Sequence, residues 1–135
     1  MSRVEGYLAD QLSARPDALA LTDSTGVRWS YQDLEDAVAA LAAALQAQNV
    51  TVGDRVLVVS ENCAAAVAAL FATWRVGAIV VPVNARQTER ELTRIIDHAT
   101  PAVVLFTPEV SPDAVAHGRR LGARAVFGAW GHLTM

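Results

Sequence analysis

The residues best placed to contact a ligand follow a short apolar segment near the middle of the chain. Residues 78–81 (AIVV) are predicted to form a buried strand that stops at Pro82, and a polar loop follows at residues 84–87 (NARQ). In an open parallel sheet, ligands bind outside the carboxyl ends of the strands. The loop over residues 84–87 is therefore a candidate ligand-binding segment.

Arg119 and Arg120 are the other candidates, chosen on charge and approximate position alone. The alternative for this pair is the last turn of a helix, where cations favour the helix dipole. The alternative for Arg86 is a solvated side chain paired with Glu89 or Glu91. Both alternatives are kept open at this stage.

No catalytic residue and no metal site is predicted from the sequence. The histidines lack the spacing of metal ligands, and we expect each at the surface or at a helix end. Adjacent Asp97 and His98 would point in different directions on a helix, which argues against a catalytic dyad. The three histidines are His98, His117 and His132.

Composition indicates one globular domain of 135 residues, with 53% apolar and 19% charged residues. A net charge of −3 gives no reason to expect nucleic-acid binding. Residues 1–61 carry nine acids and four arginines, whereas residues 62–135 carry five acids and seven arginines, which hints at anion affinity in the second half. One cysteine and no long apolar run predict a cytoplasmic protein without a membrane span.

The elements that must position the candidates are predicted from periodicity and capping signals. A short helix over residues 4–14 and a small hairpin come first, then a helix over residues 31–48 with Ser30 as its cap and Asn49 at its end. Strand–helix–strand units follow, and their helices are predicted to be capped by Asn62 (in the helix before Gly77), Thr88 and Ser111. This pattern predicts an α/β fold: an open, largely parallel sheet of βαβ units with helices on both faces. We predict one domain over residues 1–127 and a tail over 128–135, where Trp130 and Leu133 lack periodic context.

Three segments together resemble the adenylate-forming (AMP-binding) enzyme superfamily. Residues 29–34 (WSYQDL) resemble its first core motif, with Asp33 in place of the usual Glu. Residues 74–84 (WRVGAIVVPVN) resemble the second, and residues 52–56 (VGDRV) resemble the strand entry between them. The resemblance runs over about residues 5–127 and implies the first subdomain of the family fold. It matches only the opening portion of a complete family enzyme.

The loop after the second motif is similar to that of acid–CoA ligases, which read Pro-Leu-Asn-Pro-Arg-Leu-Thr, more than to the Pro-Leu-Asp of peptide-synthetase adenylation domains. The resemblance implies a ligase that uses ATP, Mg²⁺ and CoA to activate a carboxylic acid as acyl-AMP and then form a thioester, as in fatty acid metabolism. It implies a CoA-side position for Asn84, Ala85 and Arg86. Arg119 and Arg120 would contact nucleotide phosphates.

The chain departs from the family in what it lacks. It contains no Ser/Thr/Gly-rich phosphate loop, and all eleven of its basic residues are arginines, so both family lysines are absent. Arginine does not substitute for a lysine acting as a compact point charge. We therefore expect an N-terminal fragment of an acid–CoA ligase that is inactive alone. No cofactor is assigned to this chain by itself, whereas the complete enzyme would use ATP, Mg²⁺ and CoA. Its partners would be the remainder of the ligase, on the same or a separate chain, or a second copy.

The alternative is a stand-alone, non-catalytic module that binds CoA, a nucleotide or a protein partner. Whether the chain is itself an enzyme stays open at this stage.

Overall fold

The computed structural model describes residues 3–135, with side chains described from Glu5 onward. The described residues form five helices and seven strands. The helices are α1 (Arg3–Ala14), α2 (Tyr31–Ala47), α3 (Ala64–Arg75), α4 (Glu89–Ala99) and α5 (Pro112–Arg120). The strands are β1 (Leu19–Thr22), β2 (Arg28–Ser30), β3 (Arg55–Ser60), β4 (Ile79–Asn84), β5 (Val103–Phe106), β6 (Ala125–Gly128) and β7 (Gly131–Thr134).

The main sheet has five strands in the order β4-β3-β5-β7-β6, and β1 and β2 form a separate antiparallel hairpin. β3 pairs in parallel with β4 and with β5, whereas β7 is antiparallel to both β5 and β6. Four of the five strands consequently run in one direction. The predicted α/β fold, with a short helix and a small hairpin before a largely parallel sheet, is confirmed.

Helices cover both faces of this sheet because of its strand order. The chain steps from β3 out to β4 and then back across β3 to β5, so right-handed crossovers place α3 and α4 on opposite faces. Side chains of β3 alternate accordingly: Val56 and Val58 pack with α2 and α3, while Leu57 and Val59 pack with α4 and α5. The apolar run of β3 is therefore buried on both sides.

Three helices begin with the caps that the sequence predicts. Ser30 Oγ accepts a hydrogen bond from the Asp33 amide at 3.0 Å, and the Asp33 carboxylate accepts one from the Ser30 amide at 2.9 Å. Thr88 and Glu91 form the same reciprocal pair before α4, and these bonds lower the pKa of Glu91. Ser111 caps α5 through its side-chain oxygen.

The start of α3 differs from the prediction. Its N-cap residue is Cys63 rather than Asn62, and the Cys63 side chain makes no capping hydrogen bond. Asp23, in the hairpin, accepts a hydrogen bond from the Ala64 amide at 2.8 Å instead. A carboxylate far along the chain thus satisfies a free amide of the first helical turn.

The predicted end of β4 is also corrected. The strand continues two residues past Pro82 and ends at Asn84. The amides of Ile79 and Ala85 donate to Asp54 and Ser60 on the β3 side, so the backbone of Pro82 faces the free edge of the sheet. A proline costs no ladder bond there, because β4 is an edge strand.

Residues 128–135 do not form a tail in the structure. Gly131–Thr134 is β7, which lies between β5 and β6, and Trp130 and Leu133 are buried in the core. A strand of four residues that turns back on its predecessor gives no periodic signal, so β7 could not be predicted from the sequence. The outer limits of the domain stay a prediction, and residues 1 and 2 lie outside the described range. Within residues 3–135, no helix has the length and apolarity needed to span a membrane.

Candidate functional site

A polar cleft lies where β3 and β4 end, at the edge of the sheet that the sequence indicated. Its volume is about 370 Å³. The lining residues come from the ends of these two strands and the loops after them. They are Ser60, Glu61, Asn62, Pro82, Val83, Asn84 and Arg86.

The loop after β4 begins with a tight turn. The Gln87 amide donates to the Asn84 carbonyl at 3.1 Å, and Asn84 Oδ1 accepts from the Arg86 amide at 2.9 Å. Ala85 is fully buried, and its amide donates to the Ser60 carbonyl. Of the three candidates in this segment, Asn84 and Arg86 line the cleft, whereas the side chain of Ala85 packs in the core.

Arg86 is the cation of the cleft. Its Nε lies 3.0 Å from Glu61 Oε1, so the ion-pair partner is Glu61 rather than Glu89 or Glu91. The Arg86 side chain is 75% exposed, and that of Glu61 is 24% exposed. The pairing uses the inner nitrogen of the guanidinium and leaves the two terminal nitrogens for a further acceptor, since a guanidinium carries five N–H donors.

Thr107 begins the third loop at this edge of the sheet, and its contact with the site could not be predicted from the sequence. It is buried at the end of β5, and its hydroxyl accepts a hydrogen bond from the Glu61 amide at 3.2 Å. The bond joins the loops after β3 and β5, where the connections diverge to opposite faces of the sheet. Thr107 therefore helps to fix the backbone that carries Glu61.

The two arginines of α5 take different positions. Arg119 lies in a separate groove of about 550 Å³, formed largely by the segment before α5. Arg120 turns toward the loop after β4: its Nε is 3.5 Å from Glu89 Oε1, and its guanidinium donates to His117 Nδ1 at 2.9 Å. The structure thus brings Arg120 beside the loop and leaves Arg119 outside the cleft.

His117 lies at the end of α5, as predicted, but it is buried rather than at the surface. Its Nε2 is 2.9 Å from the Gln87 carbonyl. A ring contact to the candidate loop was missed because His117 and Gln87 are 30 residues apart. Nothing in the local sequence of either residue signals the other.

A reactive thiol and a metal site both find little support among residues 3–135. Burial raises the pKa of the Cys63 thiol, and the negative charges of Asp23 and Glu109 add to the effect, so the thiolate is disfavoured. No group of three or more His, Cys, Asp or Glu residues in this range is arranged to hold a metal ion.

Comparison with known proteins identifies the family. A sequence model described as AMP-binding enzyme matches residues 8–126, which is most of the chain. The chain belongs to the AMP-binding enzyme family. The core motifs at residues 29–34 and 74–84 fall within the matched range, so the resemblance seen in the sequence is confirmed.

Relatives within the AMP-binding family include both ligases and synthetases. The chain is 36% identical over 86 residues to the acyl-CoA ligase sidI of Aspergillus fumigatus, covering 64% of this chain and 15% of that protein. It is 34% identical over 109 residues to the hybrid PKS-NRPS synthetase LUC5 of a Fusarium species, covering 78% of this chain and 3% of that protein. The chain therefore spans only a small part of either relative.

Solved structures of AMP-binding enzymes share the fold. VinN in complex with L-aspartate superposes with a TM-score of 0.73 at 32% identity, covering 76% of this chain and 29% of VinN. The N-terminal domain of FACL13 from Mycobacterium tuberculosis superposes with a TM-score of 0.77 at 25% identity, covering 86% of this chain and 29% of that domain.

Proposed function

We propose that this chain forms the first α/β layer of an ATP-dependent acid–CoA ligase and contributes Asn84 and Arg86 to the CoA side of its active site. The observation that carries the proposal is the exposed guanidinium of Arg86, held by Glu61 at the carboxyl end of the sheet. The loop sequence PVNARQT and the similarity to an acyl-CoA ligase support the same assignment.

The residues of the cleft fit an anionic group such as the phosphates of CoA. Glu61 orients Arg86 through Nε, and the turn begun by Asn84 fixes the backbone below it. The terminal nitrogens of the guanidinium can then donate to phosphate oxygens in the paired geometry that arginine favours. Ala85 would act only through its backbone. Arg120 is the second cation near the loop, and Arg119 would need a ligand that extends beyond the cleft.

ATP and Mg²⁺ do not fit the described residues in the same way. No acidic cluster in residues 3–135 suits a metal ion, and the sequence contains no lysine to contact a triphosphate. We therefore propose that the chain alone forms no acyl-adenylate, and that the rest of the ligase, on the same or a separate chain, supplies those groups. A cytoplasmic location and a role in fatty acid metabolism belong to this proposal.

CoA binding tests the proposal directly. Isothermal titration of the wild-type chain with CoA should give saturable binding of one CoA per chain that weakens as salt rises. Arg86→Ala should weaken it by about tenfold, the cost of one charge-assisted hydrogen bond. Arg90→Ala is the matched control, because Arg90 is an exposed arginine on α4 and should leave binding unchanged. Absence of saturable binding, or equal effects of the two variants, would overturn the assignment.

Pyrophosphate release tests the proposal that the chain alone forms no acyl-adenylate. The purified chain, given ATP, Mg²⁺, CoA and a panel of carboxylic acids, should release no pyrophosphate above the rate without enzyme. Native mass spectrometry of the protein from its source should then show a larger chain or a complex with a lysine-bearing partner. Turnover by the isolated chain would refute the expectation of inactivity.

The second candidate is the corresponding layer of a peptide-synthetase adenylation domain. The similarity to the synthetase LUC5 extends over 78% of this chain, a larger share than the similarity to sidI. This candidate requires no affinity for free CoA, whereas the ligase proposal does. The same titration therefore separates the two.

A further inference from the structure

The imidazole ring of His117 joins α5 to the loop after β4. Its Nε2 lies 2.9 Å from the Gln87 carbonyl, and its Nδ1 lies 2.9 Å from a terminal nitrogen of Arg120. Only 6% of His117 is exposed, so water competes little for either contact. Gln87 is the last residue of the tight turn that presents Arg86 to the cleft.

The two partners determine which ring nitrogen carries the proton. A carbonyl oxygen can only accept a hydrogen bond, and a guanidinium can only donate. Nε2 must therefore be protonated to bond Gln87, and Nδ1 must be unprotonated to accept from Arg120. Arg120 Nε also lies 3.5 Å from Glu89 Oε1 at the start of α4, an ion pair that joins α5 to α4 beside the ring.

We propose that His117 is the positioning residue of the candidate CoA site: its ring holds the exit of the turn that carries Arg86, and Arg120 selects the tautomer that can do so. The ligand in this inference rests on the proposed function. The positioning role itself does not, because the turn and the ring can be observed without any ligand.

Proton uptake by the ring would disrupt the arrangement. The doubly protonated imidazolium has a donor at Nδ1 that faces the donors of Arg120, and the two groups are both cationic. The charged groups that the structure places around the ring are Arg120 from α5 and, through it, Glu89 from α4. The contacts of the ring with Gln87 and Arg120 therefore require the neutral imidazole.

NMR of the uniformly ¹⁵N-labelled wild-type chain gives the first test. The ring of His117 should show a protonated Nε2 and an unprotonated Nδ1 at neutral pH. A protonated Nδ1 in the neutral ring would overturn the proposal, even if every substituted variant failed to fold.

Three variants then separate positioning from general stability. His117→Gln places an amide donor near the position of Nε2 and should keep the wild-type turn. His117→Asn is too short to reach Gln87 and should shift the amide signals of residues 85–88. His98→Gln, at an exposed position on α4, is the control and should preserve the wild-type amide signals of residues 85–88. Equal effects of the Gln and Asn substitutions at position 117 would refute a role for the donor.

CoA titration of the same variants distinguishes failure of this inference from failure of the proposed function. His117→Asn should weaken CoA binding by about 3- to 10-fold, and His117→Gln should restore it. Binding of CoA by the wild type with no change in His117→Asn would overturn the positioning role. Normal ring and turn signals in a wild-type chain that does not bind CoA would overturn the proposed function and leave the positioning of the turn intact.

Discussion

The side chain of Arg75 joins three helices. Its terminal nitrogens donate to the two carboxylate oxygens of Glu35 at 2.8 and 2.7 Å, and its Nε donates to Glu5. The three residues belong to α3, α2 and α1, and Glu5 is almost fully buried. The hydrogen bonds to Glu35 raise the pKa of Arg75, so the guanidinium stays charged.

Replacement of Arg75 by lysine should destabilise the fold although the charge is kept. A single ammonium cannot make the paired contact with Glu35 and also reach Glu5, so we expect a loss of about 1–2 kcal/mol in the free energy of unfolding. Urea denaturation of both proteins measures this. Arg90→Lys should change the free energy by less than about 0.5 kcal/mol. Equal losses in the two variants would show that Arg75 acts as an ordinary surface charge.

Asp23 is the second residue with a structural task at a distance. Its carboxylate accepts hydrogen bonds from the Ala64 amide, the Thr25 amide and hydroxyl, and the Val27 amide. Partial burial acts to raise its pKa, but these hydrogen bonds outweigh that effect, and the pKa is lowered from 3.8. The ionised carboxylate therefore stabilises the folded chain.

Asp23→Asn should make the free energy of unfolding depend less on pH in the acidic range. A lowered folded-state pKa contributes stability that is present above the unfolded-state value of 3.8 and is lost as the pH falls through the folded-state value. We expect the variant to be less stable by about 1 kcal/mol at neutral pH, with the difference closing below the usual carboxyl range. Thermal melts across pH measure this. Asp17→Asn, at an exposed position, is the control and should change the stability at neutral pH by less than about 0.5 kcal/mol.

The connection between α3 and β4 contains a glycine that allows this turn to pack closely on the turn before β3. Gly77 has a φ of +77°, and a Cβ on it would lie 2.9 Å from Val52 Cγ2. Its carbonyl accepts a hydrogen bond from the Gly53 amide at 3.0 Å. The turn that leads into β4 therefore packs directly on the turn that leads into β3.

Gly77→Ala should cost more than the same substitution at Gly122, which has an identical φ of +77° but open space around it. The left-handed backbone should cost about 1 kcal/mol at either position. The additional loss at Gly77 comes from the contact with Val52, so Val52→Ala in the Gly77→Ala background should remove it. Urea denaturation of Gly77→Ala, Gly122→Ala, Val52→Ala and the double variant Val52→Ala/Gly77→Ala measures the backbone cost and the contact cost. Equal losses at the two glycines would show that the contact relaxes freely.

The whole molecule is built around β3, which has a hydrophobic core on each face. β3 pairs with β4 on one side and with β5 on the other, and Val56, Leu57, Val58 and Val59 are at most 1% exposed. β4 and β6 form the two outer edges of the sheet and are more exposed. Stability should therefore decline from the centre of the sheet outward.

Native-state hydrogen exchange should show this gradient. We expect the amides of β3 to exchange only through global unfolding, because both of its neighbours must separate before they open. The amides of β6 should exchange through smaller local openings, with protection at least tenfold lower. The dependence of each amide exchange rate on denaturant concentration distinguishes global unfolding from local opening. Protection of β6 equal to that of β3 would indicate a sheet that unfolds as one unit.

The sequence by itself determined the features that depend on neighbouring residues. The caps at Ser30, Thr88 and Ser111 need partners only three residues away. Asn49 adopts the left-handed conformation (φ 64°) where its position after a helix indicated an end. The apolar runs of β3, β4 and β5 predicted buried parallel strands, and with the core motifs they led to the family.

Only the tertiary structure decided the contacts between distant residues. Asp23 caps a helix 41 residues away, Arg75 binds Glu5 at a separation of 70, and His117 meets Gln87 at a separation of 30. The four residues of β7 give no strand signal by themselves. They form a strand because β7 pairs with β5 on one side and with β6 on the other. A local pattern encodes what a segment can form, whereas the partner of each buried polar group depends on how the whole chain packs.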